Sequence, residues 1–212
     1  PHRPIPSGLI IPEEALAFTV FLLLTGLILS STISITALFF SIGLTIIGFL
    51  YNRKLKKHGL IGNIMVSFSV GMTFVFGGLS VGFPLNKIVM FFAVIAALVD
   101  LGEEIAADSM DIKGDMLIYS NSIAIKHGKE KALHVSAFIF VLVILLSLVP
   151  FLLQWFKVVY LIPITVMDIF IGYSTFCLIR SKDEEGRKYI RLLYLGATFG
   201  LIVFLIMRMM GL

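Results

Sequence analysis

The chain has 212 residues, of which 58% are hydrophobic and only 14% charged, with a formal net charge of +4; its mean hydropathy is +1.03. A soluble domain carries about 25% charged residues, so this composition cannot clothe a water-facing surface. It excludes a disordered chain and a disulfide scaffold too, since Cys177 is the only cysteine. What remains is an integral membrane protein.

A bilayer core of about 30 Å takes roughly 20 apolar residues as a helix. Lipid offers the backbone no partners, so such runs must be helical. Seven stretches qualify, approximately Glu14–Ser31, Ile33–Tyr51, Ile61–Gly78, Ile88–Ala107, Leu133–Leu153, Val158–Leu178 and Leu192–Met209. The short alternating segments of a β-barrel are absent. The expected fold is all-α: a multi-span transmembrane helical bundle, one domain over residues 1–212.

In chain order, the opening Pro1-His-Arg-Pro-Ile-Pro-Ser-Gly8 has three prolines in eight residues and cannot be a regular helix. It reads as the middle of a loop, so the chain is expected to be a fragment of a longer protein. A basic cluster, Tyr51-Asn-Arg-Lys-Leu-Lys-Lys57, follows the second span. The third span is rich in small residues (Gly62, Ser67, Ser69, Gly71, Gly77, Gly78), which suits close helix packing. The fourth span is apolar only from Ile88 to Val99. Asp100, Glu103, Glu104, Asp108, Asp111 and Asp115 follow, so this helix must enter a water-filled cavity or leave the membrane. Asp168, in the sixth span, is either a functional acid or a hydrogen-bonded helix contact. Trp155 with Lys157 marks one membrane interface, and the run Lys182–Lys188 reads as a solvated loop.

Alternating spans put 14 of the 17 Lys and Arg on one face, leaving Lys87, Lys157 and Arg208 on the other. By the positive-inside rule the basic face is cytoplasmic, and the acidic cluster lies on it.

Glu104, Asp108, Asp111 and Asp115 fall at i, i+4, i+7 and i+11, one face of a helix. Like charges at that spacing repel unless a proton or a hard divalent cation relieves them. Oxygen ligands without His or Cys point to Mg²⁺, which is commonly held by one or two carboxylates plus a substrate phosphate. Mg²⁺ beside a membrane cavity suggests a diphosphate-bearing lipid, with Arg3 and the cluster around Tyr51 and Lys56 as its basic partners. The plainer alternatives are a solvated acidic face and a loop anchored by topology. The histidines show no zinc spacing. No nucleotide loop, nucleophile elbow or nucleic-acid module occurs, so no nucleic-acid partner is expected.

These residues resemble the UbiA superfamily of intramembrane prenyltransferases. The opening Pro-His-Arg-Pro-Ile-Pro-Ser-Gly is similar to the segment after that family's first aspartate-rich motif. Glu104-Ile-Ala-Ala-Asp108-Ser-Met-Asp111-Ile-Lys-Gly-Asp115 resembles its second motif. Tyr51–Lys56 with Gly62-Asn63 resembles the loop between them, and Ala124–Ala132 the segment that follows. The likeness is carried by residues 1–132; the last three spans agree only in hydrophobicity and number.

The resemblance implies a nine-helix fold around a central cavity, of which this chain supplies the last seven spans and lacks the first acidic motif. It implies a Mg²⁺-dependent enzyme moving a prenyl group, geranylgeranyl by preference, from a prenyl diphosphate to a lipid or aromatic acceptor within the cell membrane. Asp108, Asp111 and Asp115 would hold the metal and act in catalysis with Tyr51. Arg3, Lys56, Asn63 and Glu104 would bind substrate. The long second motif is most similar to an archaeal branch that adds a second geranylgeranyl chain to a glyceryl phosphate ether, although Glu103 stands where many relatives have Arg. The competing readings are a quinone- or haem-precursor prenyltransferase of the same fold, and a divalent-cation transporter.

Overall fold

The computed structural model describes residues 4–117, 119–181 and 185–211. Every regular element among them is helical. The long helices are α1 (Pro12–Ile33), α2 (Ile35–Arg53), α3 (Leu60–Ser80), α4 (Lys87–Met110), α7 (Lys129–Ser147), α9 (Leu161–Ile179) and α10 (Gly186–Met209). Short helices α5 (Ile112–Leu117) and α6 (Ile123–His127) join α4 to α7, and α8 (Val149–Leu152) follows α7.

Local sequence explains several boundaries. Pro12 opens α1, where its missing N–H costs nothing. Ser34 divides α1 from α2, and its hydroxyl accepts the Ala37 N–H at 3.0 Å, capping α2. Asn86 does the same for α4 through the Ile88 N–H at 2.9 Å. Six helices among the described residues are long and apolar enough to cross a membrane: α1, α2, α3, α7 continued by α8, α9 with the turn before it, and α10. The 24-residue α4 has the length of a span, but its second half is acidic.

The outer helices are turned inside out relative to a soluble protein. In α1 the one buried residue is Ser30, while Phe18, Phe21 and Leu22 are exposed. Ser30 bonds Ser41 of α2 at 2.8 Å, which is how a hydroxyl is satisfied where no water can reach it. Lipid gives helices no hydrophobic reason to associate, so close packing must hold the bundle. At Gly71 of α3 an added Cβ would lie 2.7 Å from the Ala93 carbonyl of α4. Gly102 of α4 makes similar room for the Phe140 ring of α7, and Ser136 of α7 donates to the Gly102 carbonyl at 2.6 Å.

α4 is the pivot. It packs on α3 at one side and on α7 and α10 at the other, and α7–α9–α10 complete the group. The apolar core lies among these four helices and includes Val99, Phe140, Ile171, Leu193 and Phe204. Far from the acids, Lys87 stacks over Trp155, 5.1 Å from the ring centroid, at the opposite end of the bundle.

Two expectations need correction. The acids do not lie on one continuous helix. α4 stops at Met110, and Asp111 leaves the helical region at φ −122°, ψ 26°. Gly114, a poor helix former, leaves the space over which the Asp111 carboxylate folds. The solvated loop is also shorter than expected: α10 begins at Gly186 rather than Leu192. Its first turn packs on α4 through Gly186 against Met110, with Arg187 3.9 Å from Asp111, contacts invisible to hydropathy. Lys182, Asp183 and Glu184 lie outside the described residues.

Candidate active site

The end of α4 forms a mouth with two sides. On the α3 side, Asn63 is buried at 4% exposure, and its side-chain amide donates to Asp108 Oδ2 at 2.9 Å. This bond fixes the carboxylate's direction, and it joins residues 45 apart in sequence. The turn carrying Lys56 is held beside it. Gly59 has φ +58°, and the backbone at Asn121 fills the space where a Cβ would sit. The Asn121 N–H bonds the Lys57 carbonyl at 2.9 Å. Gly62 packs equally closely on the Leu55 carbonyl. The glycines thus let α3, the basic turn and the segment after α5 converge.

Asp115 faces the same space from α5. Burial, with the nearby charges of Asp108 and Asp111, pushes its carboxyl up to about 6, and Lys56 opposes that rise. Asp115 Oδ2 is buried without a hydrogen-bond partner. Tyr51, half-buried at the end of α2, lies within charge range of Glu104, Asp108 and Asp115, and Lys56 within range of Glu104.

Asp111 points the other way, towards Arg187 of α10 at 3.9 Å. No three carboxylates among the described residues converge as a ready-made metal cage. An orphaned buried oxygen on Asp115, beside Asp108, still fits a hard cation that takes its remaining ligands from a phosphate. Arg3 lies outside the described residues.

Deeper in α4, Asp100 is buried at 6% exposure. It accepts from Ser67 of α3 at 2.8 Å and from Tyr194 of α10 at 3.2 Å. Tyr194 lies equally near Glu103 Oε2, at 3.2 Å, so one hydroxyl proton serves two carboxylates. Sequence reasoning left Tyr194 unmentioned, because a lone tyrosine in an apolar span carries no motif. Asp100 and Tyr194 sit at the polar end of a mostly apolar chamber of about 240 Å³, lined by Phe74, Phe91, Phe92 and Phe204 among others. Asp168 is tied to Ser147 at 2.7 Å.

The fold and mouth define a polytopic helical membrane protein whose chamber is charged at one end and apolar at the other. The sequence model of the UbiA prenyltransferase family matches residues 1–208, and the chain belongs to that family. It is 34% identical to the digeranylgeranylglyceryl phosphate synthase of Methanocaldococcus jannaschii over 87% of this chain and 64% of that one. It is also 34% identical to the enzyme of that name from Methanococcus maripaludis, over 97% and 73% of the two chains. The chain therefore spans just under two thirds of the first relative's length and nearly three quarters of the second's. A solved structure described as giving insights into "the biosynthesis of Digeranylgeranylglyceryl phosphate synthase in membranes" superposes with a TM-score of 0.72 at 34% identity, over 97% of this chain and 73% of that one.

Proposed function

We propose that this protein transfers a geranylgeranyl group from geranylgeranyl diphosphate to a geranylgeranylglyceryl phosphate acceptor, making the diether lipid phosphate. The single observation carrying this reading is the Asn63-fixed Asp108 carboxylate, set beside Asp115 and Lys56 and above an apolar chamber. The names of the relatives supply the acceptor class.

In this reading Asp108 and Asp115, with Asp111 at the rim, would hold Mg²⁺. When bound, the cation would supply charge neutralisation for the leaving diphosphate. Lys56 adds positive charge there, and Tyr51 donates a hydrogen bond. Asn63 keeps Asp108 aimed, and Glu104 faces Lys56 across the mouth. The C1–O bond of the donor breaks, and its electron pair leaves with diphosphate. The allylic cation so formed is captured by the acceptor's hydroxyl oxygen, which then loses its proton. Water would destroy that cation, and the phenylalanine-lined chamber keeps water out. The Lys and Arg distribution supports a mouth on the cytoplasmic side of a cell membrane.

The test is transfer of label from geranylgeranyl diphosphate, with and without Mg²⁺, using full-length protein in detergent. Asp108→Asn and Asp111→Asn should each abolish Mg²⁺-dependent transfer. Retained turnover at normal expression in either would remove the metal assignment.

A further inference from the structure

A second recess, of about 360 Å³, opens on the opposite side of α4 from Asn63 and Lys56. Its outer wall carries Arg187 and Arg191, one turn apart on α10. Its floor is α4 from Met110 to Glu103, and its inner end is Tyr194. Tyr194 also lines the apolar chamber, so the recess and the chamber meet at that ring.

The charges here are underused. Arg187 approaches Asp111 only at 3.9 Å and the Met110 carbonyl at 3.4 Å, both at the edge of useful contact. Arg191 forms no ion pair with any described residue. Of the carboxylates near the recess, Asp111 meets Arg187 only at 3.9 Å, and Glu103, which lines the recess, is engaged by Tyr194. A planar guanidinium offers paired donors that match phosphate oxygens. Two of them an α-helical turn apart, at the rim of a recess leading into an apolar chamber, match a phosphate joined to a lipid.

We propose that this recess seats the phosphate of the acceptor lipid, a glyceryl phosphate monoester held by Arg187 and Arg191, with its glyceryl hydroxyl reaching past Tyr194 towards the chamber. This rests on the function proposed above. It assigns the two headgroups to opposite sides of α4: the donor's diphosphate on the α3 side, the acceptor's phosphate on the α10 side. Asp100, bonded to Ser67 from one side and Tyr194 from the other, lies where the two reactive ends meet.

The experiment uses full-length protein in detergent and two readouts. First, binding of a short-chain 1-O-alkylglycerol phosphate, of the dephosphorylated alkylglycerol and of inorganic phosphate is measured by thermophoresis. Wild type should favour the phosphorylated lipid, and Arg187→Gln with Arg191→Gln should lose about tenfold for each arginine while leaving the alkylglycerol unchanged. Second, steady-state kinetics of the same variants should raise the acceptor KM and leave the donor KM alone. An unchanged preference for the phosphorylated lipid in the double variant overturns the assignment, as does a raised donor KM. Inorganic phosphate binding as tightly as the lipid overturns it in favour of a free-anion site. If wild type binds the phosphorylated lipid through these arginines but transfers no prenyl group to it, the recess stands and the proposed reaction falls.

Discussion

The hydrogen bond from Asn63 to Asp108 is the sharpest point at which to press the mechanism. Asn63→Ala removes a buried donor 2.9 Å from a carboxylate oxygen and puts nothing in its place. Hydrogen bonds to charged groups contribute about 1.5–3 kcal/mol, and about 1.4 kcal/mol is tenfold in an equilibrium constant. If the bond serves to aim Asp108 at the cation, the half-activating Mg²⁺ concentration should rise about 10- to 100-fold. It is measured from initial rates at saturating geranylgeranyl diphosphate in the full-length protein, with Tm followed in parallel. The acceptor KM should not move, because Asn63 lies on the far side of α4 from the arginine recess. Unchanged Mg²⁺ dependence would refute the reasoning. A lowered Tm with normal Mg²⁺ dependence would reduce Asn63 to a helix-packing contact.

Three further outcomes follow from the same structure. Asp115 holds its proton up to about pH 6; a carboxyl raised in this way favours the fold while protonated, and that contribution is lost as pH rises through 6. Cation and proton therefore compete, so half-activating Mg²⁺, read from initial rates, should climb as pH falls from 7 to 5, and a flat profile would refute the competition. Gly59→Val forces a β-branched residue into a positive φ against the Asn121 backbone, at a cost of about 1–3 kcal/mol; it should loosen the Lys56 turn and raise the donor KM more than the acceptor KM. Ser147→Ala strips Asp168 of its serine partner and should destabilise by about 1–3 kcal/mol; adding Asp168→Leu should return most of the lost Tm, and a further loss instead would mean the acid serves something other than Ser147.

What the chain's composition settled alone was its solvent. Apolar runs of span length with few charges have one stable home, and in that home the backbone must be helical, so the all-α membrane bundle was legible without coordinates. The acids of α4, the basic turn at Tyr51–Lys57 and the glycines were legible too, because charge and the lack of a side chain are properties of single residues. Their partnerships were not. Asn63 meets Asp108, and Tyr194 meets Asp100 and Glu103, across 45, 94 and 91 residues of chain. No local rule connects such positions. Helical spacing also overreached at Asp111, where the backbone leaves the helical region between α4 and α5 and the side chain turns towards Arg187 of α10. The two-sided mouth exists only because α3 and α10 close on opposite flanks of α4, and that is decided by how helices pack once lipid has removed any other reason for them to touch.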